Sequence, residues 1–155
     1  MAGKIEAHIK SLGLTLPQAS APVANYVPYV RTGNLVFVSG QLPLQDGAVK
    51  YTGLVGGDVS ADDGYQAAKL CALNLIAQVK AACDGDLDRV KRVVKLTGFV
   101  AAGAQFTDQP KVINGASDLM VEVFGDAGRH SRAAVGAPSL PRGAAVEVEA
   151  VFEVA

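Results

Sequence analysis

Apolar positions recur at helical spacing in three segments of the chain. The pattern predicts helices over residues 4–12, 60–83 and 109–124, each with one apolar face. The second helix begins at the sequence Ser60-Ala61-Asp62-Asp63, which resembles a capping box and therefore favours a helix start. The third is followed by Gly125, a residue type that commonly ends helices.

Five further segments are rich in β-branched residues or alternate between apolar and polar positions, as strands do. They cover about residues 27–31, 35–39, 90–101, 132–137 and 144–154. The alternation is clearest in the last segment, whose predicted core-facing residues are Val146, Val148, Ala150, Phe152 and Val154. The glycine-rich residues 45–59 predict a loop with room for a short strand, and the prolines of residues 14–24 predict an extended arm.

The predicted order of elements after the arm is β-β-α-β-α-β-β. This order is typical of an α+β sandwich, in which two long helices pack on one face of a mixed sheet of five or six strands. A chain of 155 residues is long enough for one core and short for two ordinary domains. We therefore expect a single domain over residues 1–155, of which residues 1–24 form an N-terminal helix and an extended arm.

Composition and charge narrow the classes of partner. Half of the residues are apolar, 19% are charged and the mean hydropathy is +0.25, which predicts that part of the surface is buried in an oligomer. The net charge of −1 and the lack of a basic run argue against nucleic acid as a partner. No apolar stretch has the length of a membrane span, and residues 1–6 do not resemble a signal peptide.

The cysteines indicate a reducing environment. Cys71 and Cys83 fall on the second predicted helix, where a rise of ~1.5 Å per residue puts them about 18 Å apart, too far for a disulfide. We therefore expect reduced thiols and a cytoplasmic protein. Histidine, cysteine and acidic residues do not occur at metal-binding spacing, so no metal is expected.

The residue with the clearest chemical meaning is Arg132, which opens an apolar strand. A guanidinium is always charged and offers a planar fork of donors, so a half-buried arginine usually has an anionic partner. That partner is either a protein acid such as Glu147, expected nearby on the next strand, or the carboxylate of a ligand. The sequence pattern leaves both alternatives open.

Other side chains have a structural interpretation beside a functional one. His130 is an acid–base candidate by type, although a loop histidine is more often incidental. Tyr26 is suited to a core aromatic, Asn74 and Asn114 to satisfying buried backbone, and Gly40 to close packing. Glu147 and Glu149 stand two residues apart on the last predicted strand. Two carboxylates at this spacing are a weak signal for the hydrolysis of glycosides.

Several motifs keep their register along residues 24–154. They are Tyr26-Val27, the strand sequence from Leu35 to Pro43, Asn74, Asn114, Arg132, Leu140-Pro141 and Glu147. Together they resemble the YjgF-like family, also called the reactive-intermediate (imine) deaminase, Rid or L-PSP endoribonuclease family. The resemblance implies the chorismate-mutase-like fold, a homotrimer whose sheets face a common centre, and active clefts between neighbouring subunits.

The resemblance also implies roles for the matched residues. Arg132 would grip a substrate carboxylate through two parallel hydrogen bonds, and Glu147 would orient water or substrate. The implied substrate-binding residues are Tyr26, Ser39, Gly40, Asn114 and Ala134, with Tyr26 contributed across the subunit interface and with Gly40 and Ala134 acting through their carbonyl groups. No metal or organic cofactor is implied.

The implied reaction is hydrolysis of a small 2-imino acid, in exchange with its enamine, to a 2-keto acid and ammonia. A non-catalytic trimer that binds small carboxylates or regulates a partner enzyme is the alternative, and ribonuclease activity is favoured less because the chain is nearly neutral. The sequence departs from the family pattern by an added N-terminal segment, a longer glycine-rich loop and Ala133 after the arginine. These departures predict a changed substrate.

Overall fold

The computed structural model describes residues 3–22 and 24–155, so the expectations for residues 1, 2 and Val23 lie outside the described part. Three α-helices and seven strands follow one another in the described chain. They are α1 (Lys4–Ser11), β1 (Tyr29–Thr32), β2 (Leu35–Gln41), β3 (Leu44–Gln45), β4 (Ala48–Val49), α2 (Ala61–Ala82), β5 (Val90–Ala101), α3 (Gln109–Phe124), β6 (Ser131–Ala137) and β7 (Val146–Val154).

Five of the strands form one mixed sheet in the order β1-β2-β7-β5-β6. β5 and β6 are parallel, because α3 crosses over between them, and the other neighbouring pairs are antiparallel. β3 and β4 form a small hairpin that overlaps the start of the segment predicted as a glycine-rich loop. The predicted mixed sheet is therefore confirmed, with five strands.

Both long helices pack on the same face of this sheet. α2 lies against β2 and β7, and α3 lies against β5 and β6. The inward positions of β7 are all buried, as the alternation predicted, and one hydrophobic core joins them to both helices. The α+β sandwich expected from the sequence is confirmed.

A glycine in β5 sets how closely α3 approaches the sheet. A Cβ atom at Gly98 would lie 2.5 Å from Cδ1 of Ile113, so only a residue without a side chain fits there. The tight approach holds the N-terminal half of α3 over β5 and its neighbour β6. Polar residues of α3 thereby come within reach of side chains on β6.

The opposite face of the sheet carries apolar side chains that no described helix covers. Val30 on β1 is 53% exposed, and Phe37 on β2 and Val135 on β6 are each 45% exposed. Val30 and Phe37 are directly paired across β1 and β2. Exposed apolar residues on a sheet face are typical of a surface that becomes buried between subunits.

The N-terminal helix is held by reciprocal caps. The carboxylate of Asp88 accepts hydrogen bonds from the backbone N–H groups of Lys4 and Ile5, at 3.1 and 2.9 Å. In return, Oε1 of Glu6 accepts from the backbone N–H of Leu87 at 2.8 Å. These bonds satisfy helix-end donors and fix α1 against the turn before β5.

Candidate active site

Arg132 lies on β6, the strand at one edge of the sheet, and its side chain turns toward α3. Its Nη1 donates to Oδ1 of Asn114 at 2.8 Å and to Oγ of Ser117 at 3.1 Å. Both acceptors are neutral and stand three residues apart on α3, so they lie on one side of the helix. The guanidinium is half-buried, as expected.

A histidine completes this group of side chains. Nε2 of His130 lies 2.9 Å from Oγ of Ser117, and its Nδ1 lies 2.6 Å from the carbonyl oxygen of Gly128. Arg132, Ser117, His130 and Gly128 thus form a continuous hydrogen-bonded chain behind the guanidinium. Ser117 had no signal in the sequence, because its role depends on the packing of α3 against β6.

Arg132 and Glu147 do not meet within one protomer, which corrects the expectation that they stand on neighbouring strands. β5 lies between β6 and β7, and Arg132 is level with the fully buried Leu96, whereas Glu147 is level with Phe99. The arginine therefore faces the helices and the glutamate faces the open side of the sheet. Among residues 3–22 and 24–155, no carboxylate lies within 4.0 Å of the Arg132 guanidinium, so the structural ion pair is not formed.

Glu147 lies instead against Gly40, at an irregular step in the pairing of β2 with β7. A Cβ atom at Gly40 would overlap the Glu147 carboxylate, which explains the glycine by close packing. Partial burial, reinforced by the nearby charge of Glu149, raises the pKa of the Glu147 carboxyl above its ordinary value. A raised pKa brings this carboxyl nearer to the range in which it can exchange a proton.

A small cleft, with a volume of about 50 Å³, lies beside Gly40, between residues 20–22 and the end of β2. Tyr26, Gly40 and Arg142 line it together with residues 20–22 of the arm. Tyr26 is 48% exposed, so it is not the core aromatic of the structural interpretation. Ser39 comes directly before Gly40 in β2, and its Oγ donates to the carbonyl of Val27 at 2.8 Å.

Arg142 is a cleft residue that the sequence did not single out. Its side chain is exposed, and it lines the cleft together with residues of β2. Its backbone has φ 57° and ψ 20°, a left-handed conformation that is uncommon for residues other than glycine. The local sequence does not predict this conformation, because arginine rarely adopts it.

Of the remaining candidates, Asn74 has a structural role, whereas Asn114 and Ala134 lie near Arg132. Asn74 is buried, and its Nδ2 donates to the carbonyls of Leu44 and Leu70 at 3.1 and 2.9 Å, so its structural interpretation is confirmed. Asn114 is exposed and contacts Arg132. Ala134 lies two residues beyond Arg132 on β6, on the same face of the strand.

The candidate residues therefore form two groups. The first group consists of Arg132, Asn114 and Ala134 at the β6 edge. The second consists of Tyr26, Ser39, Gly40 and Glu147 around β2 and β7. Three strand spacings separate β6 from β2, which is about 14 Å at ~4.8 Å per spacing.

Three acidic side chains come together far from both groups. Carboxylate oxygens of Glu6, Asp86 and Asp88 lie within 4.8 Å of one another, a separation that suits a metal ion. The sequence spacing gave no indication of this cluster, because α1 folds back onto a distant turn. Backbone N–H groups already bind all three carboxylates as helix caps, which explains the cluster without an ion.

Comparisons with known proteins place these features in a family. The family model described as "YjgF/chorismate_mutase-like, putative endoribonuclease" matches residues 6–153. Protein TCP17 of Trypanosoma cruzi is 51% identical over 152 residues, covering 97% of this chain and 94% of that protein. A 2-iminobutanoate/2-iminopropanoate deaminase of Dermatophagoides farinae is 28% identical over 138 residues, covering 89% and 92%.

The fold is shared with solved structures as well. The crystal structure of the protein Atu1372 from Agrobacterium tumefaciens superposes with a TM-score of 0.92 at 54% identity, covering 97% of this chain and 92% of that one. In residues 3–22 and 24–155, none of the helices combines the length and the hydropathy that a membrane crossing demands. The match over nearly the whole chain shows that this protein belongs to the YjgF/chorismate-mutase-like family.

Proposed function

We propose that this protein hydrolyses small 2-imino acids to 2-keto acids and ammonia, with the substrate carboxylate bound by Arg132. Water adds to the carbon of the C=N bond, the nitrogen leaves as ammonia, and the carboxylate is unchanged. The observation that carries the proposal is the half-buried Arg132 guanidinium, which has neutral partners only in the described chain. A family relative named as a 2-iminobutanoate/2-iminopropanoate deaminase supports the same reaction.

The geometry leaves most of the guanidinium free for a ligand. Asn114 and Ser117 both accept from Nη1, so the fork formed by the other nitrogens stays open toward a carboxylate. Two parallel charge-assisted hydrogen bonds would orient a planar carboxylate and the adjacent imine carbon. Positioning of this kind is a sufficient catalytic contribution for an imine, which already reacts with water.

We infer that the complete cleft forms between copies of the chain in a homotrimer. The Arg132 group and the Tyr26 group are too far apart within one protomer to hold one small substrate. The uncovered apolar face around Val30, Phe37 and Val135 offers a surface for association. In such a trimer, Tyr26 of one copy would approach Arg132 of the next.

Glu147 has a place in this proposal as the group that orients water. Its carboxylate lies beside Gly40, whose carbonyl is a candidate acceptor for the substrate nitrogen or the attacking water. The raised pKa of Glu147 favours a carboxyl that can share a proton with the departing nitrogen. The chain itself supplies these groups, and the proposed steps call for no metal or organic cofactor.

The direct experiment generates 2-iminobutanoate in the presence of the protein and measures ammonia release. We expect faster release with the wild type and loss of the acceleration in Arg132→Ala. Arg129→Ala is the matched control, because Arg129 pairs with Asp126 at the exposed surface. Equal rates with and without the wild-type protein would exclude the enzymatic proposal.

A non-catalytic trimer that binds small carboxylates is the second candidate, because the same arginine would serve it. This candidate predicts that 2-ketobutanoate binds in calorimetry with no acceleration of imine hydrolysis. Ribonuclease activity has less support, since the net charge is −1. RNA cleavage that persisted in Arg132→Ala would have to arise at another surface.

Two buried, unpaired cysteines suit a reducing compartment such as the cytoplasm.

A further inference from the structure

With the His130 imidazole neutral, elementary chemistry fixes the direction of the hydrogen-bonded chain behind Arg132. The carbonyl of Gly128 can only accept, so Nδ1 of His130 carries a proton and donates to it over 2.6 Å. In a neutral imidazole, Nε2 is then an acceptor, and the Ser117 hydroxyl donates to it over 2.9 Å. The hydroxyl hydrogen is thereby used, and Ser117 presents lone pairs to Arg132.

This direction suits a neighbour that donates hydrogen bonds, as the Arg132 guanidinium does. A guanidinium has donors only, so it needs acceptors with fixed orientation to hold one rotamer. Asn114 Oδ1 supplies one acceptor at 2.8 Å and the oriented Ser117 Oγ supplies the second at 3.1 Å. Without them the side chain would recover the rotamer freedom that a long, flexible residue gains in solvent.

We propose that Ser117 and His130 are positioning residues, which hold the Arg132 guanidinium in the orientation that receives the carboxylate of the substrate. This inference rests on the proposed function, because it assigns to Arg132 the role of carboxylate anchor. Ser117 acts directly on Arg132, and His130 acts one step further back by fixing the hydroxyl of Ser117. Neither residue touches the reacting atoms.

The inference predicts that substitutions at Ser117 and His130 change substrate affinity more than turnover. In Ser117→Ala we expect KM for 2-iminobutanoate to rise about tenfold, with kcat within about twofold of the wild type, because one hydrogen bond to a charged group is lost. Ser117→Thr keeps the hydroxyl and should restore KM. His130→Ala leaves the hydroxyl in place but unfixed, so its KM should rise by less than that of Ser117→Ala.

A matched histidine tests whether the effect is specific. His8 also binds a carbonyl, that of Glu122 at 2.7 Å, but it lies on α1, away from Arg132. His8→Ala should leave KM unchanged. Thermal unfolding of each variant, measured in parallel, shows whether a loss of substrate affinity comes from a damaged fold. If Ser117→Ala is destabilised, the comparison of Ser117→Thr with the wild type tests the role of the hydroxyl.

The decisive measurement is a double-mutant cycle with Arg132→Ala, read out as the Kd of 2-ketobutanoate in calorimetry or NMR titration. If Ser117 acts through Arg132, Ser117→Ala should weaken binding in the wild-type background and have no further effect once Arg132 is removed. An equal loss in both backgrounds, or wild-type affinity in Ser117→Ala, would overturn the inference. This binding test stands even if the wild type releases no ammonia, so failure of the proposed reaction and failure of the positioning role are distinguishable.

Discussion

Arg132 and Glu147 project from opposite faces of the same sheet, with β5 between their strands. Arg132 reaches from the edge strand β6 to Asn114 on α3, and Glu147 lies against Gly40 on the open face. One small ligand cannot touch both groups inside a single protomer. In the proposed trimer, the two halves would form one site where copies of the chain meet.

Arg132→Lys should separate charge from geometry at the proposed anchor. Lysine keeps the positive charge but cannot form the forked pair of hydrogen bonds to a carboxylate. We expect KM for 2-iminobutanoate to rise by about 10- to 100-fold, as for loss of one charged hydrogen bond. Steady-state ammonia release measures this, and a wild-type KM in the lysine variant would show that bidentate binding is not needed.

Gly40→Ala should reduce activity without a large loss of stability. The added methyl group would overlap the Glu147 carboxylate, which stands at the end of a flexible side chain and can move aside. We expect the free energy of unfolding to change by less than about 1 kcal/mol, whereas imine hydrolysis falls because the carboxylate is displaced. Urea unfolding and ammonia release, measured on the same samples, test this pair of outcomes. Full activity would argue against a role for the Gly40–Glu147 contact.

Gly98→Ala should instead destabilise the fold. Its Cβ would lie 2.5 to 2.7 Å from three side-chain carbons of Ile113, a fully buried residue of α3. Overpacking of this kind costs about 1–3 kcal/mol of unfolding free energy. Gly103→Ala is the control, since a Cβ there meets nothing within 4 Å and we expect no comparable change. Similar unfolding midpoints for the two variants would contradict the close approach of α3 to β5.

Glu147→Gln should stabilise the protein at neutral pH. Because burial raises the pKa of Glu147 in the folded state, its favourable contribution is present at low pH and is lost as the pH rises through the folded pKa. Glutamine resembles the protonated carboxyl, so the variant should exceed the wild type in unfolding free energy at pH 7. The difference should shrink toward about pH 4, near the ordinary carboxyl pKa. If the difference in unfolding free energy between variant and wild type increased as the pH fell, the pKa of Glu147 would be lowered by folding and not raised.

Phe37→Asp should weaken the proposed trimer. The residue is 45% exposed on the open face of the sheet and pairs with Val30, so a carboxylate there would face the neighbouring subunits. We expect sedimentation to show a shift from trimer toward monomer, accompanied by loss of activity. Leu54→Asp is the control, because Leu54 is 39% exposed outside the sheet. An unchanged mass for Phe37→Asp would place the subunit interface elsewhere.

Local patterns were sufficient to predict most of the secondary structure. The limits of α3 were predicted correctly because its apolar stripe and Gly125 are both visible in the sequence, and the alternation of β7 identified its buried face. The first strand begins at Tyr29 and not at Val27, and the last begins at Val146 and not at Ala144. Such ends depend on hydrogen bonds to other segments, as when Ala145 donates to the carbonyl of Tyr51.

The sequence by itself determined the element order, the core-facing residues and the family, because helix and strand periods and short motifs are local properties of the chain. Only the tertiary structure decided that β5 separates Arg132 from Glu147, and that Ser117 and His130 lie behind the guanidinium. Strand order and the seating of α3 are set by contacts between residues far apart in sequence. No local pattern records those contacts, and they determine which polar groups meet.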